Sequence, residues 1–189
     1  MHRVPLNRVV FSAKSDGWRT PREFFTALDR EFLFVVDAAA KRSNALCDTW
    51  FGPGHPILTY RNALTVDWWR EVGPSWRAVW CNPPYSACRE FVAKAAKERL
   101  QGVTSVLLVP ARTDTQWWHA HVWDRGAGRY RPGVKARYVQ GRLMFLKANG
   151  KPTLDRHGRP TRAPFPSVVI VFKGVTYRRR QLGRTGGLK

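Results

Sequence analysis

Apolar residues along this chain follow two rhythms. Near the start, Phe24, Phe25 and Leu28 recur at helical spacing, which predicts a helix from Trp18 to Phe32 with one apolar face. Thr20 reads as its N-cap, Pro21 as its first helical position and Glu23 as N3. Then comes Phe32-Leu33-Phe34-Val35-Val36, an unbroken apolar run that predicts a buried strand ending at Asp37. Similar runs predict strands over Arg77–Cys81, Thr104–Val109, Ala136–Leu146 and Ser167–Phe172. Helices are predicted over Ala87–Leu100, closed by Gly102, and around Gln116-Trp117-Trp118-His119. Leu64–Trp69 fits either a strand or a turn of helix. Asp48–Pro56, Gly126–Gly133 and 147–166 carry Gly and Pro at loop density. No internal repeat is evident.

Helix and strand alternate early, and the last two strands are consecutive. That order predicts an α/β fold, a mostly parallel sheet closed by an antiparallel strand pair. Residues 1–16 read as a loose basic arm, 17–174 as one domain and 175–189 as a mobile basic tail. Ligands in such sheets bind beyond the carboxyl ends of strands, where Asp37 and Asn82 both fall.

Charge narrows the partners. The 189 residues hold 33 basic and 13 acidic side chains, a net charge of +20. Such an excess seeks a polyanion, nucleic acid above all, with an anionic membrane or plain solubility as alternatives. No stretch is long and apolar enough to span a membrane, and Met1–Lys14 does not read as a signal peptide. Three cysteines, Cys47, Cys81 and Cys88, suggest neither disulfides nor a zinc site and fit a reducing cytoplasm. Cys81 and Cys88 read as buried small residues. His119, His121 and Asp124 do not form a metal set, because i, i+2 spacing divides the two imidazoles between sides of a helix. The expectation is no metal.

The strongest chemical signal is Asn82-Pro83-Pro84-Tyr85, with an apolar strand before it and a helix after it. A conjugated exocyclic amino group is a poor nucleophile because its lone pair is delocalised. Accepting hydrogen bonds from its two N–H groups returns electron density to nitrogen. The Asn82 side-chain oxygen and the Pro83 carbonyl can accept one each. Pro83 and Pro84 stiffen that carbonyl before substrate arrives. Tyr85 offers an aromatic face for a base. The bland alternative is a Pro-rich turn that ends a strand. Lys147, Lys151, Arg156, Arg159 and Arg162, spread through 147–166, and the 125–137 segment are candidate DNA contacts, or else solvated charge.

Beyond the tetrapeptide, the chain resembles the phage-type DNA N6-adenine methyltransferases of the Dam family. The likeness rests on Trp18-Arg19-Thr20-Pro21 with Phe24-Phe25, Val36-Asp37-Ala38-Ala39-Ala40 with Asn44-Ala45, and Asn62-Ala63-Leu64 with Asp67-Trp68. It continues through Val79-Trp80-Cys81-Asn82-Pro83-Pro84-Tyr85-Ser86, Leu108 to Thr115, Gly141-Arg142-Leu143 and Pro166-Ser167. The resemblance implies a Rossmann-like methyltransferase fold and S-adenosylmethionine as methyl donor. It further implies a flipped-out adenine of duplex DNA as acceptor, and a phage or prophage protein acting in a bacterial cytoplasm. Thr20, Pro21, Asp37, Ala38 and Ala39 would border the donor's methionine part, and Asp67 its adenine. From the residues alone, Asp37 has a helix cap as its alternative reading, and Asp67 a turn residue. Arg112 and Asp114 fit a pocket border or a structural pair. One departure stands out: the turn after Asp37 has no glycine. The same tetrapeptide chemistry also suits an RNA adenine, a cytosine N4 or a protein glutamine, and a non-catalytic basic DNA-binding protein is the reading from another class.

Overall fold

A computed structural model describes residues 18–73, 77–147 and 149–176. The expected basic arm over 1–16 and nearly all of the tail over 175–189 lie outside the described residues.

A six-stranded sheet forms the middle layer. Its strands are β1 (Phe34–Asp37), β2 (Thr49–Trp50), β3 (Ala78–Cys81), β4 (Thr104–Pro110), β7 (Val134–Tyr138) and β8 (Ser167–Phe172), in the order β2-β1-β3-β4-β8-β7. Pairings from β2 to β4 are parallel, and β8 pairs antiparallel with both β4 and β7. This is the predicted parallel sheet with an antiparallel closure, a Rossmann-like α/β arrangement. A two-stranded hairpin, β5 (Trp123–Asp124) with β6 (Arg129–Tyr130), stands apart from it.

The period-two alternation of each strand serves two cores. Val79, Cys81, Leu107, Val109, Ile170 and Phe172 face the side covered by α2 (Trp68–Val72), α3 (Cys88–Leu100) and α4 (Gln116–His121). Trp80, Val106, Leu108, Val169 and Val171 face the other side, with Phe25 of α1 (Arg22–Phe32) and Phe145. Each buried large apolar side chain contributes about 1.5–3 kcal/mol. Buried Cys81 and Cys88 fill this core as small residues.

Several elements differ from the sequence pattern. α1 begins at Arg22 after Pro21, and no side chain caps it, so Thr20 is free for another partner. Leu33 leaves the expected strand to close α1 in the left-handed region, at φ 53°. β2 lies inside the expected loop 48–56; two residues are too few to show periodicity. Leu64–Trp69 is neither a strand nor all helix: Asp67 caps α2, accepting from the Trp69 N–H at 3.1 Å. β7 runs 134–138 rather than 136–146, and β6 occupies the expected loop 126–133. The expected loop 147–166 contains antiparallel bridges and is not irregular throughout.

Strand order reverses at β1: β2 lies to one side of it and β3 to the other. A crevice at such a switch point, beyond the carboxyl ends of the strands, is where open α/β sheets bind ligands.

Candidate active site

Two peptides emerge at this switch point, Asp37-Ala38-Ala39-Ala40 from β1 and Asn82-Pro83-Pro84-Tyr85 from β3. They separate after one last link, Ala38 N–H to Trp80 carbonyl at 2.8 Å. The cavity they border measures about 630 Å³ and is lined by Thr20, Asp37 to Lys41, Phe51 to Pro53, Arg61 to Ala63, Asn82, Pro84 and Phe91, among others. That volume lies within the roughly 300–1,000 Å³ range of small-molecule sites.

The glycine missing after β1 is supplied by the segment that follows β2. Phe51 N–H bonds the Asp37 carbonyl at 2.9 Å, and Ala40 N–H bonds the Phe51 carbonyl at 3.0 Å. At the next residue, Gly52, a Cβ would collide with the Ala40 carbonyl oxygen. Close approach of two backbones at the cavity wall therefore needs a glycine, placed fifteen positions after Asp37 in the sequence rather than beside it.

Asp37 is buried, and both its carboxylate oxygens are engaged. One accepts from Ala39 N–H at 3.3 Å and the other from Leu46 N–H at 3.1 Å. Burial raises its pKa from 3.8 to about 6, against the opposing pull of those two N–H groups.

Asn82 is arranged the opposite way. Its Nδ2 donates to the Trp18 carbonyl at 2.9 Å and to Thr20 Oγ1 at 3.1 Å. A carbonyl needs a donor, so the amide orientation is set, and Oδ1 points away. That oxygen is buried and has no hydrogen-bond partner. Pro84 sets the following turn, accepting from Ala87 N–H at 2.9 Å at the foot of α3. Pro83 is buried and Tyr85 half-buried; neither belongs to the cavity lining. The Tyr85 ring packs edge-on against Phe165 at 5.1 Å and Phe145 at 6.3 Å. Trp18 meets Phe145 at 5.7 Å. The Tyr85 hydroxyl is buried without a partner, and burial pushes its pKa up.

The structure thus brings Thr20, Asp37, Ala38, Ala39, Asn82 and Pro84 to one cavity. Pro21 adjoins it at the start of α1. Asp67 caps α2 and pairs with Arg70 at 3.6 Å, outside the lining. Arg112 and Asp114 follow β4 and do not line it either. Trp117 and Trp118 are buried in the core. Lys147, Lys151, Arg156, Arg159 and Arg162 are all exposed, between β7 and β8. Residues that the pattern did not single out include Gly52, Arg61 and Lys41 on the wall. Arg19 also lines it, its guanidinium held by the Ser43 carbonyl at 3.0 Å. Among the described residues, no three His, Cys, Asp or Glu side chains cluster as metal ligands, and no helix is long and apolar enough to cross a membrane.

A family model for DNA N-6-adenine-methyltransferase (Dam) matches residues 9–183, nearly the whole chain. The chain belongs to the Dam family. Two curated relatives are similar to it, both named DNA N-6-adenine-methyltransferase. One, from Escherichia phage T1, is 31% identical over 107 residues, which is 56% of this chain and 40% of that protein. The other, from Haemophilus phage HP1 (strain HP1c1), is 26% identical over 149 residues, 77% of this chain and 75% of that protein. The chain thus matches less than half the length of the phage T1 protein and three quarters of the HP1 protein.

Proposed function

We propose that the protein transfers a methyl group from S-adenosylmethionine to the exocyclic N6 of an adenine in duplex DNA, with that base flipped out of the stack. The observation that carries this is the buried, partnerless Oδ1 of Asn82, on an amide whose nitrogen is already held at two points. An unpaired buried acceptor costs about 1–3 kcal/mol. An incoming amino group relieves that cost while it is being activated, so the interaction tightens as the reaction proceeds.

The chain's own part is orientation. Asn82 Oδ1 accepts one amino N–H and the Pro83 carbonyl the other, raising electron density on the nitrogen. The two prolines fix the direction of the Pro83 carbonyl, and Trp18 and Thr20 that of Asn82 Oδ1. Tyr85, braced by Phe145 and Phe165, supplies the aromatic wall for the base. S-adenosylmethionine supplies an electrophilic methyl group on a sulfonium. Thr20, Asp37, Ala38 and Ala39 of the cavity wall, with Pro21 adjoining, would hold its methionine part, where the buried carboxyl of Asp37 suits an ammonium group. Phe51, Pro53 and Phe91 give the cavity apolar wall, and Asp67, at the cap of α2, stays outside it.

The partner reading follows from charge and kinship. A net charge of +20, and the exposed Lys147, Lys151, Arg156, Arg159 and Arg162, suit DNA phosphates. The phage origin of both relatives supports a phage- or prophage-encoded enzyme working in a bacterial cytoplasm.

The test is incubation with labelled donor and duplex DNA, RNA or protein, followed by mass spectrometry of the products. N6-methyladenine in DNA is expected. N4-methylcytosine, methylated RNA or methylglutamine would move the acceptor elsewhere. No transfer, together with no donor binding by calorimetry, would leave a basic DNA-binding module.

A further inference from the structure

The segment between β7 and β8 contains a short repeat that the apolar pattern does not reveal. Leu146-Lys147-Ala148-Asn149-Gly150-Lys151-Pro152 and Leu154-Asp155-Arg156-His157-Gly158-Arg159-Pro160 carry Leu, Gly, a cation and Pro at matching positions. The described residues of the two copies make the same hairpin pairings. Leu146 bridges Pro152 and Leu154 bridges Pro160, both antiparallel. Lys147 N–H bonds the Lys151 carbonyl at 2.8 Å, and Asp155 N–H bonds the Arg159 carbonyl at 2.8 Å. The glycines turn the chain at φ 77° and 76°, a region that favours glycine.

The residue after each glycine is the cation, and its backbone is fixed. Lys151 N–H donates to Asn149 Oδ1 at 3.0 Å, and Arg159 N–H donates to Asp155 Oδ1 at 2.9 Å. Both side chains are exposed, and among the described residues neither forms a salt bridge. Asp155 is the one acid between residues 142 and 166, and its Oδ1 takes both the Arg159 and His157 N–H groups.

The hairpins are rooted at the catalytic tetrapeptide. Leu146 pairs with Arg19, the residue between the two that hold Asn82. Phe145 and Phe165, at the two ends of the segment, pack on Tyr85. A strand of DNA that delivers a base to Asn82 must pass close to this root.

We propose that the twin hairpins form a two-point phosphate clamp, in which Lys151 and Arg159 each neutralise one phosphate of the DNA bound at the site. This rests on the DNA reading above and adds a count to it: one phosphate per hairpin. Counterion release makes that count measurable, since the slope of log K against log salt is about −0.9 per neutralised phosphate in duplex DNA.

The experiment is duplex binding by fluorescence anisotropy from about 50 to 200 mM salt. Lys151→Gln and Arg159→Gln should each reduce the slope by about 0.9, and the double variant by about 1.8. A charge-matched control, Arg30→Gln with Lys97→Gln on α1 and α3, should leave the slope unchanged. Unchanged slopes in the hairpin variants, or an equal change in the control, would overturn the clamp alone. If the parent protein showed no salt-dependent duplex binding, both the clamp and the DNA reading would fall. Melting curves matching the parent would show that the variants are folded.

Discussion

The peptides that leave β1 and β3 start from the same place and use their polar side chains in opposite ways. Asp37 turns both oxygens onto backbone N–H groups of its own wall. Asn82 gives its nitrogen to Trp18 and Thr20 and keeps an oxygen without a partner. One side chain is internally complete, and the other is complete only when something donates to it. Several buried polar atoms of the described residues have no partner, and among them Asn82 Oδ1 belongs to a residue of the cavity wall, where an incoming donor can reach it. Flanking residues follow the same division. Small alanines after Asp37 leave room for a ligand, whereas prolines after Asn82 remove freedom from the backbone carbonyl between them.

Removing the unpaired acceptor should break the comparison most sharply. Asn82→Ala is expected to cut methyl transfer by about 10²–10³-fold or more, by analogy with loss of one pre-oriented polar group. Donor binding by calorimetry and salt-sensitive DNA binding should stay near parental values. Activity surviving this change would defeat the mechanism.

Asp37 should answer to pH instead. Its folded pKa of about 6 stands above the ordinary 3.8. The folded state therefore holds the proton more tightly, and stability falls as pH rises through that window. The full difference is about 3 kcal/mol. Urea unfolding of the parent and Asp37→Asn should show the variant gaining that much relative to the parent between about pH 4 and 7. A pH-independent difference would mean that Asp37 titrates normally. An ammonium group against Asp37 favours its ionised form, so donor affinity should weaken as pH drops below about 6.

Gly52→Val tests the borrowed glycine. Its side chain would meet the Ala40 carbonyl, and a cost of about 1–3 kcal/mol in thermal or urea unfolding is expected, with weaker donor binding. Thr20→Val is the mildest change. It removes one of two acceptors from Asn82 Nδ2, a loss of about 0.5–1.5 kcal/mol, or roughly 2- to 13-fold in kcat. A large change in KM for the donor with unaltered kcat would instead make Thr20 a cavity-wall residue only.

These contrasts also explain what the chain's pattern discloses and what it hides. β3, β4 and β8 are readable because parallel and central strands are apolar on both faces. Asp37 and Asn82 are readable because strand ends in such sheets adjoin the crevice. Thr20 followed by Pro21 matches helix-cap preference, yet its hydroxyl serves Asn82, 62 residues away. No local rule reports a partner at that distance. Gly52 is hidden for the same reason, since the neighbour that requires it, Ala40, lies in another strand's turn. β2 has too few residues to register a period. The twin hairpins escape a search for apolar periodicity because glycine, proline and cations define them.

The hold on Asn82 has a consequence for partial unfolding. Trp18, Arg19 and Thr20 precede α1, and Arg19 in turn pairs with Leu146, far along the chain. Short segments outside helices and central strands open at lower free energy than the strands themselves. Detachment of residues 18–20 would release the amide to rotate while the sheet stays intact. Catalytic competence should then be lost at milder denaturant than global structure, so activity becomes a gauge of whether the two distant segments have met.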